Sequence, residues 1–496
     1  MKTIPPTQLR VLSVTPECAP WVKTGGLGEV AASLPRALDG LGLDVKVLMP
    51  AYRSLAALVT AGRVRAQWPA HGPWPAGRLV EAEASVNEAA GFTLLLLDCP
   101  TLFDLAGGPY QDTSGRDHAD NARRFGLLSR VAALLGSDNS PWPAWRADLV
   151  HCHDWPTGAT PAYLSRLPGR AASVMTIHNL AFQGLFPLSQ ARALDLDPAW
   201  LGLDGFEYWG KLSMMKGALQ FADAITTVSP TYAREIQQEP LGFGLQGVLR
   251  ERAARLHGLL NGVDTQVWNP ATDRHLARPY DRATVTEGKR ANKAALQARA
   301  GLQPDPAAPL FGTVSRLTEQ KGIDLIIEVL PWLVAQGAQF VALGQGDPAF
   351  EARLQALAAR FPGQVAVTVG FEEPLAHLIE AGADSFLMPS RFEPCGLNQM
   401  YSLLYGTPPV VHATGGLADS VRDAGPLDAT AATGTSTGFV FPTPTAAALQ
   451  EALQRALATM RDPEAWRRMQ ERGMTERFDW AHSAAGYAAL YRTLTG

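Results

Sequence analysis

The sequence has few cysteines and no apolar run long enough to cross a membrane. Its four cysteines, Cys18, Cys99, Cys152 and Cys395, lie far apart and form no CxxC pair. Reduced and mostly buried thiols are therefore expected. No run reaches the roughly 18 apolar residues of a membrane span, which argues against a membrane partner. The start, "MKTIPPTQLRVLSV", lacks a secretory apolar segment with a cleavage site. We therefore expect a cytoplasmic protein.

The chain also lacks an excess of one charge. It has 43 basic and 47 acidic residues, for a net charge of −4. This balance excludes a general attraction to nucleic acid or to an anionic membrane, so any anion site must be local. The length of 496 residues favours two or three domains, and 46% hydrophobic residues indicate a globular chain.

Short apolar runs alternate with segments long enough for helices in both halves of the chain. Such continuous apolar strands predict parallel sheets that are covered on both faces, and two sets predict two doubly wound α/β domains. A polar stretch from about Asn269 to Pro309 separates the sets, and we place the boundary near Leu260. Open parallel sheets bind ligands beyond the carboxyl ends of their strands, where the unusual residues of this chain collect. The runs are "RVLSVT", "DVKVLMP", "FTLLLLD", "DLVHCHD", "SVMTIHN", "AITTVSP" and "LHGLLNG", then "LFGTVSRL", "QFVALGQGD", "VAVTVGF", "DSFLMPS", "PPVVHA" and "GFVF".

The first strand runs into a glycine-rich turn in "WVKTGGLGEV", Trp21 to Val30. In a phosphate loop the lysine follows the glycines, whereas Lys23 precedes them here, so that motif is excluded. The pattern predicts a helix from near Gly26 to Gly40. Unpaired N–H groups at a helix start suit an anion, which favours phosphate.

A similar turn follows the first strand of the second half, in "SRLTEQKG". Arg316 and Lys321 flank it, and the next helix has Ile323, Ile326, Ile327 and Leu330 on one face. Two cations beside a helix start could bind a pyrophosphate. The alternative is a pair of solvated surface charges.

The stretch "LMPSRFEPCGLNQMYSLLYGTPPVV" places Glu393 in a tight loop between a strand and a helix. Its carboxylate could accept hydrogen bonds from sugar hydroxyls, or it could be a helix-start residue that interacts with the helix dipole. The following "ATGGLADSV" repeats the glycine pair and suggests a second helix end facing phosphate, although glycine also serves plain turn geometry.

The motif "HCHDW" puts His151 and His153 on one strand face, but no Cys or His cluster elsewhere in the sequence completes a zinc site. Asp154, at the strand end, is more plausible as a hydrogen-bond acceptor for substrate. His178 follows the next strand and is either structural or part of the same edge.

A DxD pair, Asp195 and Asp197, could hold a divalent cation, but Pro198 favours a helix-start role. Lys and Arg, rather than a metal, would then offset phosphate charge.

Nine motifs in a fixed order resemble the starch and glycogen synthase family that uses ADP-glucose, and the resemblance covers essentially the whole chain. The motifs are "KTGGLGEV", "HCHDWPTG", "TIHNLAFQG", "SPTYAREI", "LLNGVDTQVWNP", "SRLTEQKG", "LGQGDP", "PSRFEPCGLNQ" and "TGGLADSV".

The resemblance implies a GT-B fold, in which two Rossmann-like domains, 1–260 and 261–475, face a deep cleft and a C-terminal helix in 476–496 packs back on the first. It implies transfer of glucose from ADP-glucose to the non-reducing end of glycogen or another α-1,4-glucan. Configuration at the anomeric carbon would be retained, without a metal or cofactor.

The resemblance also implies site roles by motif position. Lys23 and the Gly25–Gly26 turn would face the donor phosphates and the acceptor side, and Gly415 and Gly416 would approach phosphate. Arg316 and Lys321 would neutralise the diphosphate. Glu393 would hold glucose hydroxyls beside the backbone of Cys395 and Gly396. His178 would lie near the transferred sugar, with Asp154, Asn179, Asn261 and Tyr110 around it.

Three positions depart from common forms of related retaining transferases. Tyr401 stands where a second Glu often follows Glu393, Asn398 where Thr is common, and Phe371 where Tyr is frequent. Phe371 would hold adenine by stacking with one polar contact fewer. The alternatives left open are another GT-B transferase with a UDP-sugar donor, a non-catalytic glucan- or sugar-nucleotide-binding protein, and a nicotinamide dehydrogenase. The last lacks a clean GxGxxG with its acidic partner.

Overall fold

The computed structural model describes residues 8–426 and 434–496. The first seven residues of the start discussed above lie outside the described residues. Contacts between Cα atoms divide the chain into unit 1, residues 1–262 with 480–496, and unit 2, residues 263–479. In residues 8–426 and 434–496, no helix has both the length and the apolar content that a bilayer crossing requires.

The strands of unit 1 are β1 (Arg10–Val14), β2 (Asp44–Pro50), β3 (Arg63–Trp68), β4 (Gly77–Glu81), β5 (Thr93–Asp98), β6 (Leu149–His153), β7 (Ala172–Ile177), β8 (Leu185–Pro187), β9 (Glu207–Tyr208), β10 (Lys211–Ser213), β11 (Ala224–Thr227) and β12 (Leu256–Gly258). Its helices are α1 (Gly26–Asp39), α2 (Ala56–Ala61), α3 (Ala84–Ala90), α4 (Pro100–Phe103), α5 (Asn121–Leu135), α6 (Thr160–Ser165), α7 (Met214–Phe221), α8 (Pro230–Glu235), α9 (Gln246–Glu251) and, after unit 2, α18 (Trp480–Thr495).

The main sheet of unit 1 has nine strands in the order β12-β11-β7-β6-β1-β2-β5-β4-β3. The seven strands that the apolar runs predict are parallel, whereas β3 and β4 extend the edge as an antiparallel pair. These two strands are not among those that the apolar runs predict. Most side chains of β3 are partly or fully exposed, and only two residues of β4 are buried, so both strands lack the continuous apolar signal of a central strand. A small antiparallel sheet, β8-β10-β9, was also not predicted.

Helix α18 packs on α1 in unit 1. Its buried residues Trp480, Ala484 and Tyr487 share an apolar cluster with Val11 and Leu34. The hydroxyl of Ser483 also donates to the carbonyl of Leu260 at 2.7 Å. The last helix of the chain therefore completes the core of the first unit.

Unit 2 contains the strands β13 (Leu310–Val314), β14 (Gln339–Gly344), β15 (Val365–Val369), β16 (Ser385–Met388), β17 (Pro409–His412) and β18 (Phe439–Phe441). Its helices are α10 (Val285–Ala300), α11 (Ile323–Ala335), α12 (Pro348–Arg360), α13 (Glu373–Gly382), α14 (Asn398–Leu404), α15 (Gly415–Ser420), α16 (Ala446–Met460) and α17 (Pro463–Gly473).

The six strands of unit 2 form a parallel sheet in the order β15-β14-β13-β16-β17-β18, as the six apolar runs of the second half predict. The predicted face of α11 is buried, since Ile323, Ile326, Ile327 and Leu330 all lie in the core.

In each sheet, the order of the strands reverses at one pair of neighbouring strands. In unit 1 this point lies between β1 and β6, and in unit 2 between β13 and β16. Connections leave these neighbouring strands in opposite directions, which opens a crevice at their carboxyl ends where ligands of such sheets bind.

Candidate active site

In unit 2, Lys321 and Glu393 meet at the carboxyl edge of β13 and β16. Lys321 ends the turn after β13, and Glu393 lies in the loop after β16. The Lys321 Nζ donates to Glu393 Oε2 at 2.5 Å, and the hydroxyl of Ser390 donates to the same oxygen at 3.0 Å. Glu393 is only 6% exposed. The structure therefore brings together the predicted phosphate cation and the predicted sugar carboxylate.

A close backbone crossing places Lys321 there. Gly322 has a φ of +67°, and a Cβ at this position would overlap the carbonyl oxygen of Pro389, at the end of β16. Only glycine combines that conformation with that approach. The turn that carries Lys321 therefore lies directly against the strand that leads to Glu393.

Arg316 is exposed at the start of the same turn, and its Nη2 lies 3.4 Å from Gln320 Oε1. Gln320 in turn contacts the Glu393 loop, because its side-chain amide donates to the carbonyl of Phe392 at 3.4 Å. Arg316 is thus at the predicted edge but does not share the buried environment of Glu393.

The helix-start alternative for Glu393 is wrong. Helix α14 begins at Asn398 after an N-cap at Leu397, so Glu393 lies outside its first turn. Asn398 instead ties this helix to the neighbouring strand, since its side-chain amide donates to the carbonyl of Val314 at 2.5 Å.

The second glycine pair interlocks with the Glu393 loop. A Cβ at Gly415 would overlap the carbonyl oxygen of Glu393, and one at Gly416 would overlap that of Cys395. The N–H of Gly416 lies 3.2 Å from the carbonyls of Glu393 and Pro394. Gly396 has a φ of +69° and packs against Gln399. Close packing against the protein's own backbone therefore accounts for these glycines.

Packing within the protein does not account for the first glycine pair, Gly25 and Gly26. A Cβ at Gly25 or Gly26 would have no heavy atom within 4 Å, and neither backbone conformation requires glycine. Helix α1 begins at Gly26, as predicted. Beside it, the exposed Lys23 pairs with Glu29 at 2.5 Å. The space over this turn is compatible with close approach of a ligand to the backbone.

Glu17 is a member of this edge that the sequence analysis missed. It is 3% exposed and accepts hydrogen bonds from the N–H and hydroxyl of Thr24 and from the hydroxyl of Tyr110, each at 2.6 Å. Burial, together with the nearby Glu17 charge, raises the pKa of Tyr110 well above its usual value. Glu17 thus fixes both the glycine turn and the predicted aromatic. Its only sequence signal was a carboxylate directly after a buried strand.

Asp154 and the segment after β7 form the next part of the edge. Asp154 Oδ1 accepts the backbone N–H of His178 at 2.7 Å, and the backbone N–H of Asn179 also interacts with this carboxylate. Burial raises the pKa of Asp154 to about 7, although these hydrogen bonds act to lower it. The Asn179 side chain accepts the N–H of Ala181 at 3.0 Å and so shapes the turn.

A chain of buried imidazoles stands behind His178. His178 Nε2 lies 3.0 Å from His153 Nδ1, and His153 Nε2 lies 3.2 Å from the hydroxyl of Ser13. The rings of His151 and His153 lie 4.1 Å apart, which confirms that they share a strand face. His151 bonds to Thr176 at 2.5 Å and to the hydroxyl of Tyr491, in α18, at 2.7 Å.

The buried histidines are neutral at physiological pH. Burial lowers the pKa of His151 and that of His178 to about 3 each, and lowers the pKa of His153 well below its usual value. The neutral ring of His178 is therefore assigned no general-acid role.

Asn261 and Phe371 occupy the two remaining predicted positions. Asn261 is buried after β12, and its side-chain oxygen has no hydrogen-bond partner within the described part of the chain. A buried polar atom in that state costs about 1–3 kcal/mol, which a ligand donor would relieve. Phe371 follows β15 with 71% of its surface exposed, so its ring is available for stacking.

The DxD pair has the expected structural role. Asp197 accepts the N–H of Ala199 at 2.9 Å and so caps a short 3₁₀ turn. Asp195 pairs with Arg130 at 3.3 Å, and Asp197 pairs with Arg166 at 2.9 Å. The four cysteines are free and buried, as predicted.

Comparison with known proteins shows what the chain is similar to. The family model of the starch synthase catalytic domain matches residues 10–251, and that of glycosyl transferases group 1 matches residues 297–474. A glycogen synthase of Aromatoleum aromaticum is 54% identical over 98% of this chain and 97% of its own length. A glycogen synthase of Paracidovorax citrulli is 53% identical over 97% of this chain and 94% of its own length.

Solved structures agree. The catalytic domain of starch synthase IV from Arabidopsis thaliana, bound to ADP and acarbose, has a TM-score of 0.85 and 32% identity over 99% of this chain and 100% of that one. A sucrose-phosphate synthase from Thermosynechococcus elongatus, at 17% identity and a TM-score of 0.58, shares the fold. The predicted two-domain GT-B fold is confirmed. The chain belongs to the bacterial glycogen synthases, a family of glycosyltransferases related to the starch synthases.

Proposed function

We propose that this enzyme transfers glucose from ADP-glucose to the non-reducing end of an α-1,4-glucan, with retention at the anomeric carbon and without a metal. The observation that carries the proposal is the Lys321–Glu393 pair at the point in the sheet of unit 2 where ligands of such sheets bind. A relative bound to ADP supports a nucleoside diphosphate as the leaving group.

The proposed role of Lys321 is electrostatic. When the bond between C1 and the phosphate oxygen breaks, its electron pair moves onto the diphosphate, and a cation already in place stabilises that charge without reorganising. The ion pair with Glu393 fixes the ammonium at the strand edge. Arg316, at the start of the same turn, is the second cation that we assign to the diphosphate. Lys23 keeps the phosphate role that the family resemblance gives it.

Glu393 can hold sugar hydroxyls while it holds Lys321. A carboxylate offers about four acceptor sites. Lys321 and Ser390 both bind Oε2. Oε1 is therefore the atom that we assign to glucose hydroxyls. The backbone of Cys395 and Gly396 continues this loop.

We assign no carboxylate as a covalent nucleophile, in contrast to retaining glycosidases with their paired carboxylates. Glu393 is occupied by Lys321, and Asp154 holds the backbone of His178. We propose a same-face transfer, in which a leaving phosphate oxygen takes the proton of the acceptor hydroxyl while the acceptor oxygen bonds to C1. The neutral His178 and its backbone, with Asn179, Asn261 and Tyr110, would line the sugar site.

Two finer assignments belong to the same proposal. Adenine would stack on the exposed ring of Phe371. We also place the reaction in the cytoplasm, because four free, buried thiols suit a reducing compartment.

The test is an incubation of the purified protein with glycogen and either ADP-glucose or UDP-glucose. We expect equal amounts of released ADP and added glucose, with α-linked product by NMR, and a higher kcat/KM for ADP-glucose. A higher kcat/KM for UDP-glucose would replace the donor assignment. Failure of both donors to extend glycogen would reject the function in favour of a non-catalytic binding protein.

A further inference from the structure

A second cluster of chemically capable side chains lies in unit 2, apart from the residues assigned to glucosyl transfer. It consists of His275, Glu373 and His377. One ligand atom from each lies within 4.8 Å of the other two. Glu373 and His377 occupy the same face of α13, because residues four apart on a helix are neighbours. His275 belongs to the loop that precedes α10.

His377 is held by a carboxylate on one side and lacks a partner on the other. Its Nδ1 lies 2.7 Å from Asp273 Oδ2, and the residue is only 1% exposed. Its Nε2 is buried and has no hydrogen-bond partner within the described residues. A buried polar nitrogen in that state costs about 1–3 kcal/mol, so it calls for an explanation.

The Asp273 contacts orient the imidazole of His377. Asp273 accepts from three sides: from His377, from the hydroxyl of Tyr405 at 2.6 Å, and from the backbone N–H of His275 at 2.8 Å. With Asp273 as its acceptor, Nδ1 carries a proton, and in the neutral ring Nε2 is then the nitrogen whose lone pair a metal can bind. A carboxylate that orients a histidine in this way is the usual support of a histidine that binds a metal.

The ring of His377 is also locked in position. Trp268 stacks on it with ring centroids 3.8 Å apart and an angle of 6° between the planes. Trp268 in turn stacks with Tyr401, with centroids 3.9 Å apart. A locked, carboxylate-supported imidazole is preorganised for a ligand rather than free to turn toward water.

We propose that His275, Glu373 and His377 bind one divalent transition-metal ion, with Zn²⁺ as the best fit. Two imidazoles and one carboxylate are a common zinc ligand set, with water or another group in the fourth position. Bonds of about 2.0–2.2 Å put the ligand atoms of a tetrahedral site about 3.3–3.6 Å apart. Binding would therefore draw the three groups closer together, and the exposed side chain of Glu373 is free to rotate toward the imidazoles.

The ion would join the His275 loop to the first turn of α13. That turn begins two residues after Phe371, and Trp268 connects His377 to α14. The site would therefore stabilise this part of unit 2 and would take no part in glucosyl transfer, which is proposed to need no metal.

The test is Zn²⁺ binding by the full-length, untagged protein after removal of metals with a chelator. Isothermal titration with Zn²⁺ is compared in wild type, Glu373→Gln and His275→Gln, with Glu372→Gln as the matched control on the neighbouring residue. Visible absorption of Co²⁺ added in place of Zn²⁺ reports the ligand geometry. Neither measurement depends on activity.

We expect one Zn²⁺ per chain in wild type and in Glu372→Gln, and binding at least tenfold weaker in Glu373→Gln and in His275→Gln. Co²⁺ should show strong tetrahedral bands that both ligand variants lose. The absence of stoichiometric binding to wild type, or equal affinity in all four proteins, would overturn the proposal.

Discussion

Glu393 holds Lys321 by an ion pair of 2.5 Å at the carboxyl edge of the unit 2 sheet. Both side chains are largely shielded from water, so the pair is more than a solvated surface contact. It links the turn after β13 to the loop after β16, the two strands between which the chain reverses its order. The predictions for Glu393 and Lys321 depend on this pair.

Replacement of Glu393 by Gln should impair both donor binding and turnover. The amide keeps the size of the side chain. It removes the negative charge that fixes Lys321, and it replaces one of the two acceptor oxygens of the carboxylate by an NH₂ group. We expect kcat/KM for ADP-glucose to fall about 10²-fold or more, as for loss of a preorganised charge partner. The matched control is Glu319→Gln, an exposed carboxylate on the neighbouring turn. Equal kcat/KM in wild type and Glu393→Gln would contradict the assigned role.

The two glycine pairs should respond differently to alanine. Gly416→Ala forces a Cβ into the carbonyl of Cys395, so we expect a loss of about 1–3 kcal/mol in the free energy of unfolding. Gly26→Ala meets no atom within 4 Å, so stability should stay equal or rise by up to about 1 kcal/mol. Its activity should nevertheless fall at least tenfold, because a ligand approaches that backbone.

The control for Gly26→Ala is Gly247→Ala, a helical glycine of α9 that also has nothing within 4 Å of its added Cβ. Urea denaturation and ADP-release assays on the three variants separate the two effects. A Gly26→Ala protein with wild-type kcat/KM would show that the open space over this turn is not used by substrate.

Replacement of Phe371 by Ala should weaken donor binding without loss of stability, since most of the ring is exposed. Loss of base stacking costs about 1–3 kcal/mol, which corresponds to a rise in KM for ADP-glucose of roughly 5- to 150-fold. The expected kcat is unchanged. Trp209→Ala, which removes a still more exposed aromatic in unit 1, is the control. An unchanged KM for ADP-glucose in Phe371→Ala would remove this residue from the adenine site.

The buried imidazoles of unit 1 should make the fold sensitive to acid. An unfolded histidine has a pKa of about 6.5, whereas burial lowers the pKa of His151 and that of His178 to about 3 each in the fold. Between these values the unfolded state binds more protons, so stability is present above about pH 6.5 and is lost as pH falls toward 3. Each such histidine adds up to about 1.4 kcal/mol per pH unit to the slope of the free energy of unfolding against pH.

Urea denaturation at several pH values checks this slope. His151→Gln removes one group that takes up a proton on unfolding. The slope of the free energy of unfolding against pH should therefore fall by up to about 1.4 kcal/mol per pH unit below pH 6. Thr226→Val disturbs the same hydrogen-bond network without a titrating group and should keep the wild-type slope. Equal slopes in His151→Gln and wild type would mean that His151 is not buried in its neutral form.

The sequence predicted the elements whose signals are local. Apolar runs identified all six strands of the unit 2 sheet, and the turn of Lys321 followed from the spacing between β13 and α11. The edge strand β3 and its neighbour β4 were missed because neither has the continuous apolar run on which the strand predictions were based. The family resemblance assigned Glu393 and His178 to the site. Their hydrogen bonds to Lys321 and His153 could not be predicted, because those contacts join segments that are distant in sequence.

Other features depend on tertiary contacts that the sequence alone does not show. Glu17 contacts Thr24 nearby but Tyr110 only across a long connection. The two glycine pairs look alike in sequence, and only the neighbouring carbonyls distinguish them. His275 and His377 lie in different segments, so their proximity follows from the packing of α13 against the loop before α10.

The most direct measurement of the central claim compares wild type with Lys321→Ala at saturating ADP-glucose and glycogen, with and without added Mg²⁺. The claim is that a fixed side-chain cation, rather than a metal ion, stabilises the departing diphosphate. We expect a wild-type kcat that does not change with Mg²⁺, and a kcat at least about 10²-fold lower in Lys321→Ala. A wild-type enzyme that is inactive until Mg²⁺ is added, or a Lys321→Ala enzyme with full kcat, would contradict it.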